Sequence, residues 1–395
     1  MSVIDYDPYS RAAFEDPFPF YARLRDEAPC YFIEARNSWA LSRFEDVWTA
    51  HFDTDHYTAT TGTLPWEVMS DNRETGVMLH HMDPPDHTEL LRAVWPWFSA
   101  KAMDDLDPQI EQIARSLVAA ALEKESFDLV HDLAWPMAAQ VTALVCGLPP
   151  EAADDLARNT ERSQDREPGV TGMTPVGDQA IADTFSYLMA VAEERRAAGF
   201  DGDTLIDRLG TLTIGGEPIG DDLALAIHIS MFYLGGASQF PKGFSALAYR
   251  LFQHPDQRAA IVDDPSLAEP AFLEALRIDN PTQMLGRRVV ERHEIHGNTL
   301  EPDQGVLFLY ASAGRDEREF PDPDRFDIRR DPKRTISFGA GPHRCTGANL
   351  GTREGVKLLQ ALLDAMPDYV IDDSDLQVIE TEYMRGWEEL PTRPA

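Results

Sequence analysis

Cysteine is scarce in this chain, and the three present (Cys30, Cys146 and Cys345) stand far apart with no CxxC pair. That excludes a disulfide framework and points to a reducing setting. No Cys/His cluster has zinc-ligand spacing and no GxGxxG follows a strand-like run, so zinc and dinucleotide-fold chemistry have no support. Positive charge is short as well: 35 Lys and Arg against 68 Asp and Glu leave a net charge of −33. So acidic a surface repels phosphate backbones, which argues against nucleic-acid binding. No uninterrupted apolar run reaches bilayer-spanning length. The opening residues, Met1-Ser-Val-Ile-Asp-Tyr-Asp-Pro8, carry neither a basic region nor an apolar segment, so no secretory signal is expected. These absences together lead us to expect a cytoplasmic protein with neither membrane nor nucleic acid as partner.

The chain has 395 residues, enough for one large core or two ordinary domains, and its 43% hydrophobic content is that of a globular protein. Its most constrained stretch is Phe338-Gly-Ala-Gly-Pro-His-Arg-Cys345-Thr-Gly347, where three glycines and a proline force a tight, partly rigid path. Ala348 to Met366 follows, with Val356, Leu359, Leu363 and Met366 at helical spacing. Cys345 therefore sits where a helix begins, and free N–H groups and the helix dipole favour negative charge there. With His343 and Arg344 beside it, its thiol is expected to ionise readily. A structural cysteine would need none of this; a sulfur anion on a stiff loop suits an iron.

This stretch resembles the haem-binding loop of the cytochrome P450 family. Phe338, Gly339, Gly341, His343, Cys345, Gly347 and Ala348 match, as do Arg353 and Glu354 in the next helix. The resemblance implies a mainly α fold with a small β region, one large domain over 1–395, and haem b (iron protoporphyrin IX) held by Cys345. A thiolate ligand pushes electron density into bound oxygen and favours O–O cleavage. The implied reaction is insertion of one atom of O2 into a small, mostly apolar substrate. No reductase module is visible, so a separate ferredoxin or flavodoxin and its NAD(P)H reductase are expected as partners.

Taken in order, Tyr31 to Ser42 reads as a strand or hairpin, and Thr54 to Met78 as a long irregular loop. In the family such a loop covers the substrate, which makes Tyr57, Leu64, Trp66 and Met69 candidate pocket liners. His87 fits a propionate-binding histidine. The arginine often found four residues later is Leu91 here; Arg92, one position on, is turned by about 100° and is expected to face a redox partner. Trp95 and Trp97 read as packing. Arg162 to Gly177 reads as a loop between the family's lid helices, a candidate gate.

Asp221 to Phe252 is the longest apolar helical stretch, interrupted by Gly235-Gly236 and by Pro241. A kinked, opened helix is expected there, with oxygen binding near Gly236. The family's acid and alcohol positions hold Ser238 and Gln239; an amide can orient a water but exchanges protons poorly. The stretch Gly236 to Pro241 is similar to a branch of the family that removes methyl groups from methoxylated aromatics. Glu274 and Arg277 match the family's structural lock, completed by an arginine such as Arg325. Arg287 aligns with a propionate-binding arginine, with Arg288 one residue away as the alternative. Leu234, Met284, Leu285 and Trp387, the last in a hairpin at 383–387, are the expected substrate contacts. His293 to Leu309 reads as a small sheet.

Arg329, Arg330, Lys333, Arg334, Arg344, Arg353 and Lys357 form a basic island around the cysteine loop, a candidate dock for an acidic electron donor. Besides the monooxygenase, two readings stay open. Loss of the acid–alcohol pair suits a peroxide-driven peroxygenase, and a haem protein that binds a ligand without turnover is the third.

Overall fold

The computed structural model describes residues 4–71, 78–379 and 381–395. Helices dominate. Those that matter here are α1 (Asp86–Val94), α2 (Ala100–Ala121), α3 (Trp135–Cys146), α4 (Pro175–Ala198), α5 (Asp222–Gln253), α6 (Ala268–Ile278) and α7 (Ala348–Ala365). The strands of the main sheet are β1 (Cys30–Ile33), β2 (Ser38–Leu41), β3 (Tyr57–Thr58), β4 (Leu285–Val289) and β5 (Gly305–Phe308), in the order β1-β2-β5-β4-β3. The fold is the expected one, mainly α with a small β region.

The long helix α5 is the centre. The Asp221 carboxylate caps it by accepting from the Ala224 N–H at 3.0 Å. It packs against α3, α4, α6 and α7, which is why it can be apolar on nearly every side. The expected opening at Gly235–Pro241 is not there: the backbone stays helical from Asp222 to Gln253. Pro241 removes one N–H, but neighbours on several sides hold the turn shut. The Lys242 ammonium also donates to the Ser238 carbonyl at 2.7 Å, binding the turn from outside.

Two helices, Leu129–Cys146 and Asp222–Gln253, are long and apolar enough to cross a membrane, with mean hydropathy of 1.2 and 1.3. That corrects the expectation of none. Single polar residues such as His131, Asp132 and Lys242 break up the runs without lowering the average much. Both helices contribute many residues to the main buried cluster, Val141, Ile229 and Leu247 among them.

Residues 30–41 form the expected hairpin, pairing Tyr31 with Ala40. Leu307 on β5 pairs with Gly286 on β4, and Tyr57 on β3 with Val289. The loop over 54–78 holds β3 and a short helix, Pro65–Val68; 72–77 fall outside the described residues. Trp97 packs as expected, whereas Trp95 is 41% exposed.

The lock is built differently from the expectation. Arg277 Nε and Nη2 donate to both Glu274 oxygens at 2.7 and 2.8 Å, fully buried. Its third member is Arg330, whose Nε reaches Glu274 Oε1 at 3.0 Å. Arg325 stays 68% exposed, 3.6 Å from Asp327. The Asp327 N–H also bonds Glu274, so the chain turns between 325 and 330 and points the later arginine inward.

Candidate active site

The loop ahead of α7 delivers Cys345. Gly339 and Gly341 have φ of +66° and +64°, left-handed backbone that side chains rarely adopt. A Cβ at Gly341 would stand 2.3 Å from the His51 carbonyl oxygen, so the loop is pressed onto the end of the helix Phe44–Ala50. The Cys345 N–H closes the loop on the Phe338 carbonyl at 2.8 Å. The Cys345 side chain is exposed, yet burial is the main influence on its thiol and pushes it up. The exposure is therefore to the interior of the chain rather than to bulk water.

This corrects the expectation of a readily ionised thiol. The Gly347 N–H and Arg344 favour the anion, but desolvation outweighs them. α7 begins only at Ala348, so a single amide N–H reaches the sulfur. A bound metal would reverse the balance, since a coordinating thiol gives up its proton.

Around this cysteine lies a rim of nitrogen donors, on which Asp83 and Glu67 act from a distance. Arg287 on β4 is buried and makes one hydrogen bond, Nη1 to the Gly286 carbonyl at 2.7 Å. Among the described residues no carboxylate pairs with it, and burial lowers its pKa. Its neighbour Arg288 points the other way, as successive strand residues do, and donates to the carbonyls of Thr61, Glu67, Ser70 and Asp303. The His87 and His343 rings stand 4.3 Å apart. Burial, then Arg287, pushes His343 down to about 2; the same two causes lower His87, with Asp83 opposing them, and both shifts favour the neutral ring.

His51 and His80 belong to the same electrostatic cluster, each pushed to about 3 chiefly by burial. Neither is singled out by sequence: one ends a helix, the other sits in a short turn, and only folding brings them near Arg287. Buried positive potential at Arg287, with no carboxylate paired to it among the described residues, complements carboxylates brought by a ligand. A sulfur ligand, this rim and a helix turn without a side chain at Gly235 together fit a haem and its two propionates.

On α5 the two glycines do different things. A Cβ at Gly235 would meet nothing within 4 Å, and this residue is exposed to an opening. A Cβ at Gly236 would come 2.7 Å from Thr142 Oγ1 on α3. Of the adjacent glycines, Gly235 has open space beside it, and Gly236 lets α5 and α3 meet. Ser238 and Gln239 are half-buried one turn on, and Gln239 Oε1 is left without a hydrogen-bond partner. Lys242, missed in the sequence reading, is 1% exposed and reaches Gln164 and the Ser238 carbonyl, with its ammonium 4.5 Å from the centre of the Trp135 ring. Burial pushes it down to about 7.

Of the expected substrate contacts, Leu234 and Leu285 are half-buried. Met284 is only 1% exposed and packs in a cluster with Tyr21 and Leu307, so it faces no opening. Trp387 packs edge-on against Tyr249 at 4.8 Å. Leu91 packs on the core and Arg92 is exposed, as expected for a side chain turned away from the cavity.

The cytochrome P450 family model matches residues 266–366, the stretch holding the lock, Arg287 and the cysteine loop. A putative cytochrome P450 123 of Mycobacterium tuberculosis is 31% identical over 98% of this chain and 96% of its own. The chain belongs to the cytochrome P450 family.

A vitamin D(3) 25-hydroxylase of Pseudonocardia autotrophica is 30% identical, again over 98% and 96%. Among solved structures, a mutant of P450 EryK in complex with erythromycin B has a TM-score of 0.87 at 28% identity, covering 96% and 97% of the two chains. CYP109E1 from Bacillus megaterium in complex with testosterone has 0.86 at 25%, covering 97% and 99%. This cytochrome P450 is accordingly an oxygen-incorporating oxidoreductase, with a haem-thiolate cofactor and a small-molecule substrate.

Its basic island is largely spent inside the fold. Arg330 joins the lock, Arg334 pairs with Glu319 and Glu45 at 2.6 and 2.8 Å, and Arg353 with Asp104 and Asp107. Lys357 takes Asp107 and Glu111, and exposed Lys333 takes Asp331. Acids from distant segments neutralise Arg334, Arg353 and Lys357, while Arg329 and Arg344 stay exposed, so the free positive charge is smaller than seven basic letters suggest.

Proposed function

We propose that this cytochrome P450 is a monooxygenase with Cys345 as iron ligand and with Arg287, His87 and His343 holding the propionates of haem b. Phe338 and Gly339 shape the loop under the ring, and the whole chain acts as one haem domain. The observation that carries this reading is an inward-facing cysteine on a loop near a buried arginine that forms no ion pair with an acid among the described residues. When bound, the haem supplies the oxygen chemistry. Gly235 leaves room beside it, Gln239 orients a water through its amide, and the apolar wall near Leu234 and Leu285 excludes bulk water.

Electrons come from a separate ferredoxin or flavodoxin and its NAD(P)H reductase, in the cytoplasm. The substrate is small and mostly apolar. Where the oxidised carbon bears an ether oxygen, as in a methoxy-arene, the hydroxylated product splits into an alcohol and an aldehyde, which gives O-dealkylation. The similarity over Gly236 to Pro241 supports that refinement. Cys345→Ala tests the core of the reading: the purified protein is expected to lose its haem, or to keep it with an altered carbon-monoxide spectrum and no turnover. An unchanged pigment would overturn it.

A second reading has a specific observation in its favour. Ser238 and Gln239 stand where the family carries an acid and an alcohol, and the ionisable group nearest along the helix is Lys242. Peroxide brings oxygen already reduced, so product formation with peroxide alone, at a rate matching the electron-driven reaction, would mark a peroxygenase.

A further inference from the structure

One buried ion pair, between the loop after residue 162 and the C-terminal hairpin, is poorly made. Arg166 lies in the loop between the helix Ala153–Arg162 and α4, and Glu382 lies in the C-terminal hairpin; their side chains are 1% and 0% exposed. Their closest atoms are 3.6 Å apart, too far for a charge-assisted hydrogen bond. Among the described residues, neither Glu382 oxygen nor Arg166 Nε has a hydrogen-bond partner. Arg166 Nη1 donates instead to the carbonyls of Ser163 and Asp165 at 3.0 and 2.9 Å. The guanidinium lies over Trp66 at 4.9 Å and Tyr383 at 5.7 Å, and those two rings meet edge-on at 5.2 Å.

Arg166 is thus the point where three separate segments meet: the loop after residue 162, the Trp66 helix and the hairpin. These are the segments the sequence reading set over the pocket. Two charges taken out of water in this geometry return little of their desolvation cost, and apolar side chains of similar volume would pack at least as well. Stability therefore does not account for the pair. A closed roof that gains hydration on opening does.

We propose that Arg166 and Glu382 form the latch of the roof over the haem pocket. Shut, the pair sets a single register between loop, hairpin and Trp66; open, both ions hydrate and the entrance widens. The two are positioning residues, acting through Trp66 and Tyr383. The inference rests on the haem reading above.

Stopped-flow binding of phenylimidazole to the ferric holoenzyme, followed by the haem absorption shift, tests it. Glu382→Leu leaves Arg166 buried and unpaired, biases the roof open and speeds association at least about tenfold. The Arg166→Leu/Glu382→Leu double variant has no ions to hydrate, keeps the roof shut and slows association about tenfold, with an unchanged or higher thermal midpoint. Opposite shifts are a signature that a merely structural pair would not give. Should Glu382→Leu fail to accumulate holoenzyme, Glu382→Gln is expected to speed association in the same direction, by less. Association at the wild-type rate or slower in the single variant, or at the wild-type rate or faster in the double, overturns the latch. The wild-type azole shift is measured first; its absence would overturn the haem reading and the latch with it.

Discussion

Glu274–Arg277 and Arg166–Glu382 are both buried arginine–glutamate contacts, and they are made in opposite ways. In the first, two parallel hydrogen bonds below 3 Å join the ions, Arg330 and the Asp327 N–H add two more, and Arg277 Nη1 bonds the Gly314 carbonyl at 2.6 Å. In the second, the ions stand 3.6 Å apart and, among the described residues, neither carboxylate oxygen meets a donor in hydrogen-bond geometry. The first binds α6 to the segment leading into the cysteine loop; the second joins a loop to a hairpin across the roof. Complete hydrogen bonding makes a buried pair a fixed part of the frame, and incomplete bonding leaves a contact that can be exchanged for water.

Breaking the frame should have the largest effect. Arg277→Leu strands Glu274 beside a single remaining arginine and is expected to cost about 3–5 kcal/mol, read as a lower urea midpoint with loss of haem on purification. Arg330→Ala removes a charge-assisted bond to Glu274 and should cost about 2 kcal/mol in the same measurement. A loss matching Arg277→Leu would show the lock to be a three-member unit rather than a pair with an accessory.

Lys242 sharpens the comparison, because it is a buried amine with no carboxylate bonded to it among the described residues. Burial holds its pKa near 7, below the ordinary lysine value of 10.5. Between those values the unfolded chain binds a proton that the folded chain does not, so stability rises with pH across that window. Lys242→Met should therefore be more stable than wild type at about pH 6, by about 1 kcal/mol, and lose that advantage by about pH 10. Parallel urea titrations across that range check the sign; an advantage that grows with pH would refute it. The smallest effect is expected at Arg325, exposed and outside the lock: Arg325→Ala should move stability by less than about 0.5 kcal/mol.

The cysteine loop was legible because its information is local. Glycines at positive φ, a proline and a following helix are adjacent in the chain, so residue types alone place the sulfur. The same holds for the capped start of α5 and the hairpin over 30–41. Where a side chain points depended on neighbours far away in sequence. Arg325 and Arg330 look equivalent as letters, yet a turn buries only the second. Gly235 and Gly236 differ by one position, and the contact with Thr142 decides which faces open space. The basic island looked free because its acids, Glu45, Asp104 and Asp107, come from other segments.

The sequence by itself determined the family, the mainly helical fold and the cysteine proposed to hold the iron, since these follow from short-range backbone constraints and helical periodicity. Only the tertiary structure decided that Arg287 has no paired carboxylate among the described residues, how far the Cys345 thiol is desolvated, and that Arg166, Trp66 and Glu382 meet. Desolvation and charge pairing depend on distances between segments far apart in the chain, and folding alone fixes those distances.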